Sequence, residues 1–297
     1  MENLKNIGLK LYKGIKKEKP LNKQKIKEIT VGNFKIKANK RHKLESYLRK
    51  YPLYSRNFPR ICNALNQKLT DYGIIDVGAN IGDTLALLRS SDVFNPVYCI
   101  EGLDEYFDLL KSNSSLFNNI YLFKIFLGET STREKGKIIA EEGTARTSGN
   151  DTEDFTDFIS LDDFIFQNHI ENIKVLKIDT DGNDFKIIRG GLKFIKKVKP
   201  VIFFEYDSVY LKEMNEDPFA TFDILYDTGY NKAIYYDNFG RLLCSTDLSN
   251  KRQICQFYKY IKDYKGSFHY YDICLFHQED DTLADFVINK EEHITSL

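Results

Sequence analysis

One short stretch, residues 73–84, constrains the fold of this chain more than any other. It reads Gly-Ile-Ile-Asp-Val-Gly-Ala-Asn-Ile-Gly-Asp-Thr, an apolar segment typical of a buried strand followed by a glycine turn. The leucines that follow predict a helix with Asp83 or Thr84 as its cap. This order of elements places backbone N–H groups and the positive end of a helix around one point. That arrangement suits the polar end of a nucleotide-like cofactor.

A second apolar strand, Val97–Ile100, follows this turn and ends in Glu101. A carboxylate at the end of the second strand commonly holds the diol of a ribose. The turn itself has the spacing Asp-x-Gly-x-x-x-Gly, which differs from the Gly-x-Gly-x-x-Gly of dinucleotide-binding enzymes. The two strands together predict a nucleotide-like ligand at the carboxyl edge of a sheet.

Strands and helices alternate along the rest of the chain, which predicts an α/β fold with a largely parallel sheet and helices on both faces. The later predicted strands are Ile120–Phe126, Val175–Ile178, Pro200–Phe204, Lys232–Tyr236 and Tyr270–Phe276. A helix with Phe185, Ile188, Leu192 and Ile195 on one stripe is predicted after the fourth strand, and another starts at Pro218. An inserted hairpin or loop, rich in Gly, Ser and Thr, is predicted over residues 137–149, and Ser160 is predicted to cap a helix.

Three segments carry a resemblance to a known family. Residues 76–84, 100–102 and 176–182 resemble the FkbM family of S-adenosylmethionine-dependent methyltransferases, in order and in spacing, and the match runs from about Tyr72 to Phe286. The resemblance implies a Rossmann-like class I methyltransferase fold, with a mainly parallel seven-stranded sheet and an antiparallel final strand. It also implies S-adenosyl-L-methionine as cofactor and O-methylation of a hydroxyl on a sugar or a cell-surface glycan precursor.

The resemblance and the strand ends together nominate two sets of site residues. The cofactor-binding candidates are Asp76, Gly78, Ala79, Asn80, Gly82, Asp83, Thr84, Glu101, Gly102, Leu127, Gly128 and Asp179. The catalytic candidates are the carboxylates Asp179, Asp181 and Glu205. Asp179 and Asp181 are best placed to take the proton that an acceptor hydroxyl loses, and Glu205 either positions the acceptor or pairs with a lysine. The family usually has Asp-x-Glu-Gly where this chain has Asp181, one methylene shorter. Asp184 is interpreted either as a catalytic residue or as a favourable charge at a helix N-terminus.

Other side chains leave alternatives open. A divalent metal held by Asp179, Asp181 and Glu205 is a weaker hypothesis than a metal-free site, because no histidine lies in that cluster. None of the histidines is predicted to act, although His277 stands at the end of a strand. Arg146 either grips a phosphate or carboxylate of the acceptor or lies in solvent. Three side chains, Tyr51, Tyr54 and Arg56, either face an acceptor or serve packing.

Charge divides the chain into two predicted parts, a basic N-terminal helical and hairpin cap over residues 1–70 and a methyltransferase domain over residues 71–297. The first 70 residues contain 19 lysines or arginines and 4 acidic residues, a net charge of +15. Because the whole chain has 43 basic and 43 acidic side chains, the remainder carries −15. A solvated lysine-rich face is favoured over contact with an anionic lipid or glycan. An amphipathic helix is predicted over residues 1–28 and a hairpin over Glu28–Ala38.

Composition predicts a cytoplasmic protein. Five scattered cysteines without a C-x-x-C pair indicate free thiols in a reducing compartment, and no apolar run is long enough to span a bilayer. The expected partner is a small-molecule or glycan acceptor, without nucleic acid, and the oligomeric state stays open. Two alternative functions remain: a nucleotide- or dinucleotide-binding oxidoreductase, which the turn spacing disfavours, and a non-catalytic cofactor-binding module.

Overall fold

A computed structural model describes residues 26–141, 144–148, 155–214, 216–262 and 270–294. The strands are β1 (Ile26–Val31), β2 (Phe34–Asn39), β3 (Gly73–Val77), β4 (Val97–Ile100), β5 (Ile120–Phe123), β6 (Phe126–Gly128), β7 (Thr132–Lys135), β8 (Lys137–Glu141), β9 (Thr144–Ser148), β10 (Phe155–Ser160), β11 (Ile173–Ile178), β12 (Val201–Asp207), β13 (Tyr230–Asp237), β14 (Leu242–Asp247) and β15 (Tyr270–His277). The helices are α1 (Leu44–Lys50), α2 (Asn57–Asn66), α3 (Asp83–Ser90), α4 (Asp104–Ser114), α5 (Leu161–Gln167), α6 (Asp184–Gly190), α7 (Leu192–Val198), α8 (Ser208–Glu213), α9 (Pro218–Asp227), α10 (Lys251–Lys262) and α11 (Asp281–Glu292).

The central sheet has the strand order β14-β13-β15-β12-β11-β3-β4-β5. The pairs from β12 through β5 are parallel, whereas β15 runs antiparallel to both β12 and β13. Helices pack on both faces of this sheet. The predicted Rossmann-like fold and its antiparallel final strand are therefore confirmed.

The sheet differs from the prediction at both edges. It has eight strands among the described residues instead of seven, because β14 adds to the edge as an antiparallel partner of β13. The predicted strand Ile120–Phe126 was wrong at its end. That strand stops at Phe123, and β6 leaves the central sheet to pair with β10 in a separate three-stranded sheet. Residues 120–126 look like one apolar strand in the sequence, but the pairing of β6 with β10 divides them between two sheets.

The helix predicted to carry Phe185, Ile188, Leu192 and Ile195 is two helices, α6 and α7, that break at Gly191. Gly190 lies so close to β6 that an added Cβ would come within 2.3 Å of the Gly128 carbonyl oxygen. The two glycines therefore let the chain pass the end of β6 and turn. Three of the four side chains, Phe185, Ile188 and Ile195, still pack into the larger core cluster, whereas Leu192 lies outside it and is only partly buried. Helices α8, α10 and α11 were not predicted.

Alternating residues of the central strands divide the core into two layers. Ile75, Leu176 and Ile202 belong to the larger cluster on one face, whereas Ile74 and Val175 belong to the cluster on the other. Both sets are essentially inaccessible to water. Successive side chains of a strand point to opposite faces, so near-continuous apolar strands are expected where both faces are covered. The carboxyl ends of the parallel strands meet at one edge, where the polar residues gather.

The predicted hairpin and helical pieces of the N-terminal segment are confirmed from residue 26 onward. Strands β1 and β2 pair with each other and pack on α3 and α4, while α2 packs between α3 and α11. The helix predicted over residues 1–28 lies outside the described residues as far as residue 25, and Ile26 already belongs to β1. Whether residues 1–70 form a separate unit stays a prediction.

Smaller predictions also hold. The hairpin predicted over residues 137–149 is formed by the antiparallel strands β8 and β9, although the Arg146 side chain lies outside the described part of the structure. The hydroxyl of Ser160 accepts the Asp163 backbone N–H, as expected of a helix cap. All five cysteines are unpaired. Within the described residues, no helix is both long and apolar enough to cross a membrane.

Candidate active site

The glycine turn after β3 is locked against the end of β11. Gly78 has a φ of +78°, and a Cβ at this position would lie 1.9 Å from the backbone oxygen of Asp179. The Asp179 N–H in turn donates to the Val77 carbonyl at 3.0 Å. Only glycine allows this approach and this left-handed conformation without strain. The ends of the two central strands are thereby held side by side.

A small pocket opens at this edge, between the ends of β3 and β4 and the loop after β11. Glu101 lies within it, and both of its carboxylate oxygens are aimed by the backbone. Oε2 accepts the Asn80 N–H at 2.9 Å, and Oε1 accepts the Leu103 N–H at 2.8 Å. Burial raises the pKa of Glu101 to about 7, against the lowering effect of these hydrogen bonds. The smaller pocket thus has an oriented carboxylate at its polar end.

A large part of the lining of the smaller pocket is apolar. It is formed by Ile100, Ile125, Phe126, Leu127, Phe158 and Ile187. Phe126 and Leu127 come from β6, and Phe158 comes from β10, so the separate three-stranded sheet supplies much of this wall. The smaller pocket therefore suits a ligand with a flat apolar part and a hydroxyl-bearing part.

A second, larger cavity of about 560 Å³ adjoins the smaller pocket. The two share Gly78, Asn80, Asp179 and Asp181 in their linings. Asp181 follows β11 with a φ of +52°, a left-handed conformation that aspartate tolerates better than most residues. Two carboxylates thus stand at the junction of the two spaces, where groups bound in each would meet.

A buried lysine holds one of these carboxylates. Lys177 lies opposite Asp76 in the β3–β11 register, and its ammonium is 3.0 Å from Asp76 Oδ1 and 3.2 Å from Asp179 Oδ2. The side chains of Lys177 and Asp76 are 5% and 0% exposed, whereas half of the Asp179 side chain is exposed. Burial alone lowers the pKa of Lys177, but the charges of the two aspartates outweigh it and raise that pKa. The ammonium therefore links a buried carboxylate to one that faces the ligand spaces.

Asp184 has a structural place beneath these loops. Its Oδ2 accepts the Thr180 hydroxyl at 2.9 Å and the Thr180 N–H at 3.3 Å, and its Oδ1 accepts the Glu205 N–H at 3.3 Å. Burial raises its pKa to about 6. The side chain connects the loop after β11 to strand β12. It lines neither the smaller pocket nor the larger cavity. Of the two interpretations from the sequence, these contacts favour the structural one.

Acidic side chains from β12 and β15 form the floor of the larger cavity. Burial, and then the charges of Asp179 and Asp181, raise the pKa of Glu205 well above its usual range. Asp272 accepts a hydrogen bond of 2.6 Å from the Asn57 amide, and burial raises its pKa to about 7. The floor is thus short of compensating positive charge.

The N-terminal segment supplies an aromatic wall to the larger cavity. The rings of Tyr47 and Tyr54 stack at a centroid distance of 5.2 Å, and Tyr51 contacts Phe239 at 4.2 Å. All four rings line the cavity. Of the three acceptor-side candidates, Tyr51 and Tyr54 therefore lie at the cavity, and Arg56 is not in its lining.

The structure gathers most of the predicted site residues but not all. Gly78, Asn80, Glu101, Gly102, Leu127, Asp179 and Asp181 line the smaller pocket, and Asp83, Thr84 and Glu205 line the larger cavity. Asp76, Ala79, Gly82 and Gly128 line neither. Asp76 was expected to face a cofactor, but its carboxylate is turned to Lys177 inside the sheet. Its other oxygen, Oδ2, is buried without a hydrogen-bond partner among the described residues.

Of two histidines whose positions the sequence left open, the structure places His42 at the site and His277 away from it. The Nδ1 of His42 accepts the Leu44 N–H, so its Nε2 carries the proton and donates to Asn80 Oδ1 at 3.3 Å. This contact ties the N-terminal segment to the glycine turn. His277 ends β15, which is antiparallel, so it lies at the opposite edge of the sheet beneath Gly229. No group of three or more His, Cys, Asp or Glu side chains within the described ranges has the arrangement of a metal site.

Comparison with known proteins identifies the family. The family model described as the methyltransferase FkbM domain matches residues 76–232, more than half of the chain. The chain belongs to the FkbM methyltransferase family. The matched region contains the glycine turn, Glu101 and the β11 loop. No curated protein matches the chain.

Solved structures of methyltransferases resemble the chain only distantly. FkbM from Methylobacillus flagellatus KT is 20% identical, with 56% of this chain and 41% of that chain covered and a TM-score of 0.39. The Methanococcus jannaschii fibrillarin pre-rRNA processing protein is 15% identical, covering 89% and 86%, with a TM-score of 0.39. A precorrin-6y C5,15-methyltransferase from Geobacter metallireducens GS-15 is 12% identical, covering 73% and 87%, with a TM-score of 0.36. The FkbM assignment therefore rests on the family model.

The buried ion pair makes a stability prediction. Lys177→Met leaves Asp76 charged inside the sheet, so we expect the free energy of unfolding to fall by about 3–5 kcal/mol at neutral pH. Without its partner, the pKa of Asp76 rises further above the value of about 3.9 for an unfolded chain. A carboxyl group whose pKa is higher in the folded chain than in the unfolded chain destabilises the fold only at pH values above the unfolded pKa. The stability lost in Lys177→Met should therefore shrink as the pH falls toward 4.

Urea unfolding of wild type, Lys177→Met and the double variant Asp76→Asn/Lys177→Met checks this prediction at two pH values. The double variant should be more stable than the single variant at neutral pH, because it removes the isolated charge. A single variant whose loss is the same at both pH values, or a double variant that is no more stable, would contradict the account.

Proposed function

We propose that this FkbM-family chain is an S-adenosylmethionine-dependent O-methyltransferase that acts on a hydroxyl of a sugar or glycan precursor. The observation that carries the proposal is the junction of the two spaces at Asp179 and Asp181. A methyl donor in the smaller pocket and an acceptor in the larger cavity would have their reacting ends at this junction. Family membership supports the reaction class, and the cavity lining supports the acceptor class.

The residues of the smaller pocket fit this cofactor. Glu101 offers an oriented carboxylate for the ribose hydroxyls, and the side of the pocket formed by β6 and β10 offers apolar contacts for the adenine ring. The acidic junction also favours a positively charged centre. These are the groups that a nucleoside with a cationic sulfur requires.

The lining of the larger cavity fits a sugar. Stacked tyrosine rings present flat apolar faces, and carboxylates and amides on the floor accept or donate hydrogen bonds to hydroxyl groups. The cavity is also too large for a single small group and has room for a sugar ring. A glycan acceptor is therefore favoured over a small alcohol.

Asp179 is the side chain proposed to take the proton of the acceptor hydroxyl. S-adenosylmethionine, when bound, supplies a methyl group activated on a sulfonium. The protein's own contribution is to align the acceptor oxygen and to receive its proton. The Lys177 ammonium lies 3.2 Å from Asp179 Oδ2 and fixes that oxygen, which leaves Oδ1 to face the acceptor. Asp181 and Glu205 complete the acidic surround.

Cofactor binding is tested first through Glu101. Calorimetric titration with S-adenosylhomocysteine should give micromolar binding to the wild type and about tenfold to hundredfold weaker binding to Glu101→Gln, which loses the carboxylate that accepts the ribose hydroxyls. Because the pKa of Glu101 is about 7, wild-type affinity should rise as the pH increases from 6 to 8, and the variant should lose this dependence. Asp223→Asn, on the exposed surface, serves as the charge control.

The same titration with NAD separates the alternatives. Binding of NAD without S-adenosylhomocysteine would favour the oxidoreductase and overturn the methyltransferase proposal. Silence with both ligands would favour a binding module without turnover.

The base is tested with Asp179→Asn. This substitution removes the proton acceptor and keeps the side-chain size, so methyl transfer should slow by about 10²–10⁴-fold while S-adenosylhomocysteine still binds. Transfer is followed by mass spectrometry on a panel of monosaccharides and methyl glycosides, with Asp223→Asn as the matched control. A variant that methylates at the wild-type rate would exclude Asp179 as the base.

A further inference from the structure

The larger cavity has an excess of negative charge. Its lining includes the carboxylates Asp83, Asp179, Asp181, Glu205, Asp207 and Asp272 and the ammonium groups of Lys43, Lys50 and Lys177. Lys177 is already held between Asp179 and the buried Asp76, so it balances charges that lie at the junction or beneath it. The floor formed by Glu205 and Asp272 has no ion pair with a described lysine or arginine at salt-bridge distance.

One carboxylate oxygen on this floor is unsatisfied. Glu205 Oε2 is buried and has no hydrogen-bond partner among the described residues. Glu205 lines the cavity and comes from β12, while Asp272 comes from the adjacent position of β15 in the register. Burial, and then the charges of Asp179 and Asp181, disfavour the ionised form of Glu205, and leaving its buried Oε2 unpaired costs further free energy. A bound group that donates hydrogen bonds and carries positive charge removes both costs.

The aromatic wall faces the same space with a surface that attracts cations. The Lys50 ammonium already lies 4.9 Å from the centroid of the Tyr51 ring. Tyr54 and Tyr270 also line the cavity near the acidic floor, and the charge of Glu205 acts on both phenols. Aromatic faces combined with carboxylates are the side chains that hold alkylammonium groups in proteins.

We propose that the acceptor carries a protonated amine, which binds between Glu205 and Asp272 on the floor and the tyrosine wall of the larger cavity. This inference rests on the proposed function, because it takes the larger cavity as the acceptor site. The acceptor class is then an amino sugar and not a phosphorylated or carboxylated sugar. The negative lining would repel an anionic acceptor, whatever the charge of the N-terminal segment.

Four probes that differ in one charged group test the proposal. Glucosamine, N-acetylglucosamine, glucose and glucose 6-phosphate are titrated against the full chain by ligand-observed NMR at near-neutral pH. We expect glucosamine to bind about tenfold or more tightly than N-acetylglucosamine and glucose, the size of one charge-assisted contact, and glucose 6-phosphate to bind most weakly. The preference should fall with added salt.

Variants locate the amine. Glu205→Gln and Asp272→Asn should each bring glucosamine affinity close to that of glucose, whereas Asp223→Asn should keep the preference. Thermal unfolding identifies any variant that fails to fold. Equal binding of glucosamine and glucose, tighter binding of glucose 6-phosphate, or no binding of glucosamine would each overturn the proposal. Titration of the same samples with S-adenosylhomocysteine is independent of these sugars, so a failure of the cofactor proposal is distinguished from a failure of the amine proposal.

Discussion

The candidate site depends on one buried ionic contact, in which Lys177 bridges Asp76 and Asp179. The first two residues face each other across the central pair of strands, on the face that also carries the apolar side chains of Ile74 and Val175. Taking charges out of water is costly. A buried charge that has lost its partner destabilises the fold much more than an apolar residue at the same position would. The contact therefore requires the β3–β11 register and both partners, and it fixes a carboxylate at the edge of the sheet where the two spaces open. Gly78 completes this arrangement by letting the β3 turn approach the backbone of Asp179.

The features that short sequence patterns determine could be predicted from the sequence alone. The apolar run before the glycine turn, the helix after it and the carboxylate at the end of the second strand lie within about thirty residues, and each has a backbone reason that does not depend on the rest of the chain. The same holds for the β1–β2 hairpin and the Ser160 cap. The largely parallel sheet followed from the alternation of strands and helices, and its antiparallel final strand followed from the family resemblance.

The remaining features depend on contacts distant in sequence, which single-sequence patterns do not carry. Asn57 and Asp272 are 215 residues apart and meet on the floor of the larger cavity. The edge strand β14, the break at Gly191 and the departure of β6 from the central sheet are all decided by neighbouring backbone. Lys177 was the one missed residue with a signal of its own, since a lysine within a buried apolar strand requires a partner. The carboxylate expected to bind a cofactor, Asp76, is that partner.

The charge of the larger cavity is opposite in sign to that of the basic N-terminal segment. The chain has no net charge, yet the cavity beside the junction is acidic, and its aromatic wall comes from the lysine-rich segment. The segment contributes three tyrosines, Tyr47, Tyr51 and Tyr54, and two lysines, Lys43 and Lys50, to the cavity lining. The carboxylates of the lining come mainly from the ends of the central strands and the loops that follow them.

The most direct test of this account is a crystal structure of the full chain with S-adenosylhomocysteine. The account predicts ligand density in the smaller pocket, with the ribose hydroxyls at Glu101, the adenine against Leu127 and Phe158, and the sulfur at the junction beside Asp179. Lys177 should remain between its two aspartates. Density in the larger cavity alone, or a ribose that makes no contact with Glu101, would contradict the assignment of the two spaces.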